Sequence, residues 1–313
     1  MTKKIVFMGT PLFAVPIIKS LYEKNYIIPA IYTQPPKKSQ RGQKINKSPI
    51  QTVAEDYNIN CRTPGTLKEN KEEYEYLKKL DLDLVIVVAY GQIIPTKFLN
   101  LAKKGFINVH ASLLPKWRGA APIQRSIMNL EKETGISIMR IGEKLDTGPV
   151  CNSYRVEIKD NDNTEIISNK LSMLASEKII ENIDDLFEDK LIFKKQDNSK
   201  ATYASKIEKS EGEIQWYDNA ENIIGKINGL YPSPGAFFIF EDERYKILKA
   251  ELGTKNGEIG EIGEVMSNDL EISCGNQRSI KVIELQRQGK KAQNINEFVL
   301  GSQITKGSRL INV

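Results

Sequence analysis

The sequence is poor in the residues that build metal sites and disulfide frameworks. Its 313 residues contain one histidine, His110, and three cysteines, Cys61, Cys151 and Cys274, which lie far apart. An odd number of widely spaced cysteines without a CxxC pair favours neither a disulfide framework nor a metal ribbon. A single histidine also argues against an ordinary zinc site. We therefore predict a functional site without a metal.

Long apolar runs are also missing. The apolar stretch near the start, residues 5–8, is too short for the core of a secretory signal, and no later run approaches the roughly 20 residues that cross a bilayer. Hydrophobic residues make up 40% of the chain and charged residues 27%, as in soluble globular proteins. The sequence therefore predicts a cytoplasmic protein that does not bind membranes, and we expect a monomer.

The length and the residue patterns predict an α/β domain followed by a smaller β domain. Strand patterns at 4–9, 26–33 and 83–88 alternate with helix patterns at 12–24, 49–57 and 68–80. This alternation is typical of a doubly wound, mostly parallel sheet covered by helices. Short strands separated by turns after residue 235 indicate a five-stranded barrel of the oligonucleotide-binding (OB) type. We predict an α/β domain over 1–190, a linker over 191–206 and a β domain over 207–313.

A glycine at the end of the first predicted strand raises the possibility of a dinucleotide site. The segment Gly9-Thr10-Pro11-Leu12 lacks the other two glycines of the dinucleotide fingerprint, and residues 26–34 contain no acidic residue. Both features are needed to hold the pyrophosphate and the ribose of NAD. The sequence therefore argues against NAD.

One stretch organises the rest of the chain: residues 106–119, which read FINVHASLLPKWRG. Its first five residues predict a buried strand with a polar end. Because side chains alternate along a strand, Asn108 and His110 project to the same side. In open α/β sheets this end of a strand is where ligands bind. A lone histidine is more often a structural residue, but its pairing with Asn108 and the loop that follows favour a functional site.

A second segment, the predicted turn 143–149, carries Asp146 and follows a predicted strand over 134–141. If that strand lies beside the strand ending at His110, Asp146 comes close to the imidazole. A carboxylate there stabilises the charged ring and fixes its orientation. In the alternative interpretation Asp146 caps its own turn, as Asp before Thr-Gly commonly does. Spacing alone leaves both interpretations open.

A basic connection follows the second predicted strand. Residues 33–54 contain five cations and no acidic residue, namely Lys37, Lys38, Arg41, Lys44 and Lys47. Long polar connections inside a domain are usually functional or disordered. A flexible basic loop at the ligand edge of a sheet suits an anionic partner such as RNA phosphates. The composition fits a merely solvated loop equally well.

Several motifs in this sequence resemble those of the 10-formyltetrahydrofolate-dependent formyltransferase family. They are NVHASLLP at 108–115, WRGAAPIQ at 117–124, ETG at 133–135 and LDTG at 145–148. Further similar segments are FMGTP at 7–11, VAYGQIIP at 88–95, TYA at 202–204 and GKK at 289–291, so the resemblance covers nearly the whole chain. Ala111 stands where some members have glycine, a small change.

The resemblance implies a Rossmann-like catalytic domain, a linker and an OB-like tRNA-binding domain. It also implies transfer of the formyl group of 10-formyltetrahydrofolate to the α-amino group of methionyl initiator tRNA, without a metal. One alternative is formylation of another amine, such as a sugar nucleotide or a purine precursor. The other is a catalytically idle RNA-binding relative. The basic loop and the added β domain favour an RNA acceptor, and the intact polar residues at the site argue against an idle protein.

The resemblance also assigns roles by position. The family's catalytic residues match Asn108, His110 and Asp146. The folate segment matches Ser112, Leu113, Leu114 and Pro115, and the pterin pocket matches Gln92, Ile93 and Ile94. The family's tRNA-contacting insertion matches residues 35–47, with Arg41 at its arginine position and Lys37, Lys38 and Lys44 nearby. In the expected mechanism Asn108 and a protonated His110 donate to the former formyl oxygen, while Asp146 keeps the imidazole charged.

Overall fold

The computed structural model describes residues 3–39, 44–253 and 260–310. Its contacts divide the chain into two units. Unit 1 comprises residues 1–122, 134–156 and 168–204, and unit 2 comprises residues 123–133, 157–167 and 205–313. Residues 191–204 of the predicted linker group with unit 1. The predicted domain boundaries stay predictions.

The strands of the first 204 residues form a seven-stranded sheet and two small two-stranded sheets. In chain order they are β1 (Ile5–Gly9), β2 (Ile31–Tyr32), β3 (Lys37–Ser39), β4 (Lys44–Asn46), β5 (Cys61–Arg62), β6 (Leu84–Val88), β7 (Phe106–His110), β8 (Arg118–Gly119), β9 (Glu133–Arg140), β10 (Val150–Glu157) and β11 (Tyr203–Ala204). The large sheet has the order β10-β9-β7-β6-β1-β2-β5. Strands β5, β2, β1, β6 and β7 run parallel and β9 runs antiparallel to β7. The predicted mostly parallel sheet is confirmed.

Burial explains why the central strands were predictable. Every residue of β1 and of β6 is buried, as expected for strands covered on both faces, whose sequences read as continuous apolar runs. The predicted strand 26–33 is wrong in extent, since only Ile31–Tyr32 is strand. Pro29 explains the shortening because proline has no N–H to donate, and β2 is hydrogen-bonded on both sides.

Within the described ranges, five helices begin in the same part of the chain. They are α1 (Val15–Glu23), α2 (Pro49–Asp56), α3 (Lys71–Lys79), α4 (Pro122–Met128) and α5 (Thr164–Phe187). The side chain of Ser48 accepts a hydrogen bond from the Gln51 N–H at 3.0 Å and so caps α2, and Asn70 caps α3 in the same way through Glu73. The predicted helix from residue 12 begins as a short 3-10 helix, Leu12–Ala14.

Further features of unit 1 differ from the sequence predictions. The predicted loop at 34–47 contains the antiparallel hairpin β3–β4, in which Lys37 pairs with Asn46. Strand β10 was not predicted and lies at the edge of the large sheet. In both places main-chain hydrogen bonds form the strand without a run of apolar side chains, so the hydrophobic pattern is weak.

Unit 2 contains an antiparallel five-stranded sheet. Its elements are α6 (Ala220–Leu230), β12 (Ala236–Phe240), β13 (Glu243–Leu252), β14 (Glu271–Ser273), β15 (Ser279–Arg287), β16 (Ala292–Asn294) and α7 (Ile295–Val299). The order is β12-β13-β15-β14, with β16 also paired to β15. Register shifts near Lys249 mark bulges, which bend a strand and allow a sheet to curl. The predicted fold class is therefore confirmed.

Two predicted strands of unit 2 are wrong. Residues 213–216 and 263–266 make only isolated bridges, such as Glu213 with Phe237. The core of this unit contains Trp216, Phe238 and Val282. Among the described residues, no helix is long and apolar enough to span a membrane.

Candidate active site

The site begins at the carboxyl end of β7, where Asn108 and His110 lie two residues apart and therefore on the same face. Strand β7 lies between β6 and β9. Asn108 is opposite Val87 on β6 and Met139 on β9. His110 is 6% exposed. The strand predicted from sequence thus has the predicted bounds and places an amide and an imidazole together.

The structure brings Asp146 to the histidine. Its Oδ2 atom lies 3.7 Å from Nδ1 of His110, and both side chains are largely buried. The turn that carries Asp146 is anchored to the end of β9, where the Arg140 N–H donates to the Pro149 carbonyl at 3.0 Å. Because β9 is the neighbour of β7, this hydrogen bond places the Asp146 carboxylate beside the His110 imidazole. Of the two interpretations left open by spacing, the one that places Asp146 beside His110 describes this geometry.

Gly148 allows that turn to approach β9. A Cβ at this position would overlap the carbonyl oxygen of Arg140 and lie 3.2 Å from the Met139 side chain. Asp146 itself has φ 51°, in the left-handed region that residues with a side chain rarely adopt. The backbone of the turn is therefore strongly constrained by its surroundings.

The opposite edge of the imidazole, at Nε2, contacts the loop that follows β7. His110 Nε2 lies 3.0 Å from the carbonyl oxygen of Trp117. A carbonyl oxygen only accepts hydrogen bonds, so Nε2 carries the hydrogen. At 3.7 Å the Nδ1 contact with Asp146 is longer than a hydrogen bond but within ion-pair range.

Asn108 differs from His110 and Asp146 in that its side-chain donors are not engaged by other described residues. Its side chain is partly exposed, and no hydrogen bond joins it to another residue within the described ranges. An asparagine amide offers two N–H donors. These donors are therefore available to a ligand at the end of β7.

The loop at 112–115 takes its shape from β9. Ser112 is fully buried, and its hydroxyl donates to the Lys116 carbonyl at 2.6 Å. The Ser137 hydroxyl donates to the Ser112 carbonyl at 2.7 Å and accepts from the Leu114 N–H at 3.1 Å. The Ser112 hydroxyl is thus used inside the loop. The next three residues, Leu113, Leu114 and Pro115, are the partly exposed ones.

Residues 92–94 follow β6 and differ in environment. The Gln92 side chain donates to the Pro64 carbonyl at 2.7 Å, while its Oε1 is buried without a partner among the described residues. Ile93 is 85% exposed. Ile94 packs against the buried residues on one side of the sheet. Ile93 therefore offers apolar surface to a ligand, whereas Gln92 and Ile94 also support the fold.

Three of the predicted RNA-contacting residues lie on the β3–β4 hairpin. Lys37 is exposed on β3, and Lys38 and Lys44 lie on the paired strands. Arg41 lies outside the described residues. Lys47 instead pairs with Glu55 at 2.7 Å.

The cysteines do not provide a nucleophile. All three are free. Burial raises the pKa of the Cys61 and Cys151 thiols to about 11 and that of Cys274 to about 12, so these thiols are protonated near neutral pH. In the part of the chain that the structure describes, no cluster of three or more His, Cys, Asp or Glu side chains could hold a metal.

Sequence reasoning missed two residues that hold the Asp146 turn. Arg118 is almost fully buried, and Gln196, from the predicted linker, joins it to the turn. A glutamine in a polar segment carries no pattern that separates a buried bridge from a solvated side chain. The arginine belongs to the WRGAAPIQ motif, the only signal that pointed toward it.

Comparison with known proteins defines the class to which this fold and site belong. The family model "Formyl transferase" matches residues 3–183, and "Formyl transferase, C-terminal domain" matches residues 206–303. The chain is therefore a formyltransferase. Its first part has the fold of the formyl transferase domain, and its second part is the C-terminal domain of the same family.

Full-length relatives specify the family. The chain is 85% identical to the methionyl-tRNA formyltransferase of Pelagibacter ubique (strain HTCC1062), over 100% of both chains. It is 40% identical over 308 residues to that of Caldanaerobacter subterraneus subsp. tengcongensis, covering 98% of this chain and 99% of the relative. The chain belongs to the methionyl-tRNA formyltransferase family, as its motifs predicted.

Solved structures share the fold at low identity. The sugar 3N-formyl transferase WlaRD, solved with dTDP and 5-N-formyl-THF, has a TM-score of 0.69 and 21% identity, over 93% of this chain and 100% of WlaRD. HypX from Aquifex aeolicus, solved with tetrahydrofolic acid, has a TM-score of 0.66 and 14% identity, over 98% of this chain and 49% of HypX. These similarities establish a common fold only.

Proposed function

We propose that this protein transfers the formyl group of 10-formyltetrahydrofolate to the α-amino group of methionyl initiator tRNA, giving N-formylmethionyl-tRNA. The observation that carries the proposal is the ion pair between His110 and Asp146, beside the unengaged Asn108 amide at the end of β7. Its full-length relatives are methionyl-tRNA formyltransferases, at up to 85% identity among those compared, which supports this acceptor. The cytoplasmic location and the monomeric state stay predictions.

The first step is attack of the neutral amine on the formyl carbon. The tetrahedral intermediate then carries negative charge on the former formyl oxygen, and a hydrogen-bond donor aimed there stabilises it by about 3 kcal/mol in comparable acyl transfers. The Asn108 amide supplies that donor because it has no partner among the described residues. His110 contributes the positive charge of its imidazolium. Its Nε2 hydrogen is engaged by the Trp117 carbonyl, so direct donation from His110 requires a change of partner.

Asp146 has two roles in this mechanism. Its carboxylate stabilises the charged form of His110 from 3.7 Å. It also accepts, through a water molecule, the proton that the attacking amine loses. The bond between the former formyl carbon and N10 of the folate then breaks, and N10 takes up one proton. The amine has thus exchanged a proton for the formyl group, and no covalent enzyme intermediate forms.

Apolar side chains near the end of β7 suit the folate. Leu113, Leu114 and Pro115 are partly exposed on the loop after β7, and Ile93 is 85% exposed on the loop after β6. Because β6 and β7 are neighbours, these loops leave the same edge of the sheet. We assign them, with Ser112, Gln92 and Ile94 as supports, to the folate pocket.

A basic cleft in unit 2 supports a polyanionic acceptor. The cleft has a volume of about 410 Å³ and is lined by Lys209, Arg244, Lys246 and Lys290 together with uncharged residues. Burial, and then the charge of Arg244, lower the pKa of Lys246, as expected for a partly buried lysine beside a second cation. The Arg244 guanidinium lies 3.5 Å from the Phe237 ring centroid, which orders it.

Clustered cations of this kind bind phosphates and release counterions. We therefore assign the cleft to the tRNA backbone. We assign Lys37, Lys38, Arg41 and Lys44 of the hairpin region to contacts with the same tRNA. A sugar nucleotide is too small an anion to need both regions.

The direct experiment is formyl transfer from 10-formyltetrahydrofolate to charged initiator tRNA, compared with charged elongator methionyl-tRNA and a sugar-nucleotide amine. We expect rapid formylation of the initiator and little of the other two. If only the sugar-nucleotide amine were formylated, the acceptor would be that amine and not methionyl-tRNA. Tight binding of tRNA without turnover would point to an idle RNA-binding relative.

A further inference from the structure

Arg118 is a buried cation with neutral partners. It is 2% exposed. Its Nε and Nη2 atoms donate to Oε1 of Gln196 at 3.0 and 2.8 Å, and Nη2 also donates to Oδ1 of Asn198 at 2.8 Å. A buried guanidinium requires such partners because it has lost its hydration. Its contacts fix the direction in which the Gln196 amide must point.

The opposite end of that amide holds the Asp146 turn. Gln196 Nε2 donates to the carbonyl oxygen of Asp146 at 2.8 Å and to that of Gly148 at 2.7 Å. One amide group thus uses its oxygen on Arg118 and both its hydrogens on the turn. Because Oε1 must face the guanidinium, the N–H donors are aimed at the turn.

The neighbouring residue Gly119 holds Asp146 by its side chain. The Gly119 N–H donates to Asp146 Oδ2 at 2.9 Å, and the same oxygen faces His110. The adjacent residues Arg118 and Gly119 therefore fix Asp146 twice, by its carbonyl through Gln196 and by its carboxylate directly. Such support is needed because the left-handed backbone of Asp146, φ 51°, is disfavoured by itself.

We propose that Gln196 is a positioning residue for formyl transfer, which keeps the Asp146 carboxylate at its ion-pair distance from His110. Gln196 does not touch the reacting atoms and acts through the main chain of the turn. The inference rests on the proposed function, since it gives Asp146 its role in the reaction. It also gives one residue of the predicted linker a role in the reaction.

The informative variant is Gln196→Glu. It keeps an oxygen for Arg118 and the same length, but loses the two N–H donors and faces two carbonyl oxygens. We expect kcat to fall roughly tenfold to a hundredfold, as small displacements of catalytic groups do, with KM for both substrates within about twofold. Gln196→Met, an apolar side chain of similar length, should lower kcat in the same way if the charged variant does not fold.

Asn198→Ala is the matched control. Asn198 contacts the same guanidinium but not the turn. We expect its kcat to remain within about twofold of wild type, even though Arg118 loses one partner. Equal losses of kcat in Asn198→Ala and Gln196→Glu would overturn the inference. They would show that the hydrogen bonding of the buried Arg118 matters, and not the contact of Gln196 with the turn.

A double mutant tests the route through Asp146. In an Asp146→Ala background, Gln196→Glu should change the residual kcat by less than about twofold, because there is no longer a carboxylate to position. A full additional loss, or a rise in KM with unchanged kcat, would refute the positioning role. If the wild type fails to formylate methionyl-tRNA, the proposed function fails. If it succeeds and Gln196→Glu keeps full kcat, only this inference fails.

Discussion

The carboxylate of Asp146 lies 3.7 Å from Nδ1 of His110, while Nε2 of the same ring lies 3.0 Å from the Trp117 carbonyl. The imidazole is therefore held between an anion and a hydrogen-bond acceptor. Asn108, on the same face of β7, keeps its amide donors free of partners within the described ranges. Unengaged amide donors beside this ring suit a reaction that develops negative charge on oxygen.

Removing any of the three polar groups should act on the chemical step. We expect Asn108→Ala, His110→Ala and Asp146→Ala each to lower kcat by about 10²- to 10³-fold, as the loss of oxyanion stabilisers does in other enzymes. The affinity for tRNA should change little. Single-turnover formylation, with filter binding of tRNA as the control, measures both. A His110→Ala variant with near-normal turnover contradicts the mechanism.

Neutralising the basic cleft should weaken tRNA binding. Lys246→Gln and Lys290→Gln are each expected to lower the slope of log K against log salt by about one, if each lysine contacts one phosphate. KM for the formyl donor should stay unchanged. Lys132→Gln is the matched control, since Lys132 is 82% exposed and lies outside the cleft. An equal effect of the control variant would show that the cleft lysines act only through the net charge of the protein.

Replacing Gly148 should displace the turn that carries Asp146. In Gly148→Ala the new Cβ overlaps the Arg140 carbonyl, so the turn must shift. We expect a loss of about 2 kcal/mol in unfolding free energy and a fall in kcat of roughly tenfold or more. Gly65→Ala is the control, because a Cβ there meets nothing within 4 Å. Denaturant unfolding and steady-state assays check the pair, and a fully active Gly148→Ala would show that the turn is more tolerant than its contacts indicate.

The Arg125–Glu211 ion pair should make the stability depend on pH. Arg125 donates to both carboxylate oxygens of Glu211, at 2.6 and 3.0 Å, and its hydrogen bonds lower the pKa of that carboxyl. The stabilisation is therefore complete above the unfolded-state pKa, whose ordinary value is 4.5, and is lost as pH falls through the lower folded-state pKa. Glu211→Gln should reduce unfolding free energy by about 1 kcal/mol at pH 7.

The difference between Glu211→Gln and wild type should shrink as the pH falls below that range. Chemical denaturation at several pH values measures it. Glu241→Gln, a change of the same charge at an exposed residue, serves as control. A difference that stays constant down to acid pH would exclude the ion pair as its source.

Much of the fold was predictable because its elements are defined by local burial. The apolar runs of β1 and β6 and the bounds of β7 follow from residues that lie next to one another in the chain. Strand β2 is shorter than predicted because Pro29 limits it, and the β3–β4 hairpin and β10 were missed. These segments are held mainly by main-chain hydrogen bonds, which leave little trace in a hydrophobic pattern.

The sequence by itself determined that Asn108 and His110 share one side of a buried strand, since the alternation of side chains requires it, and its motifs determined the family. Only the tertiary structure decided that Asp146 faces His110 and that Gln196 holds the Asp146 turn. The physical reason is that both contacts join segments that are distant in sequence. Neither segment needs a special local pattern to make such a contact, so the partner of each group becomes visible only when the chain has folded.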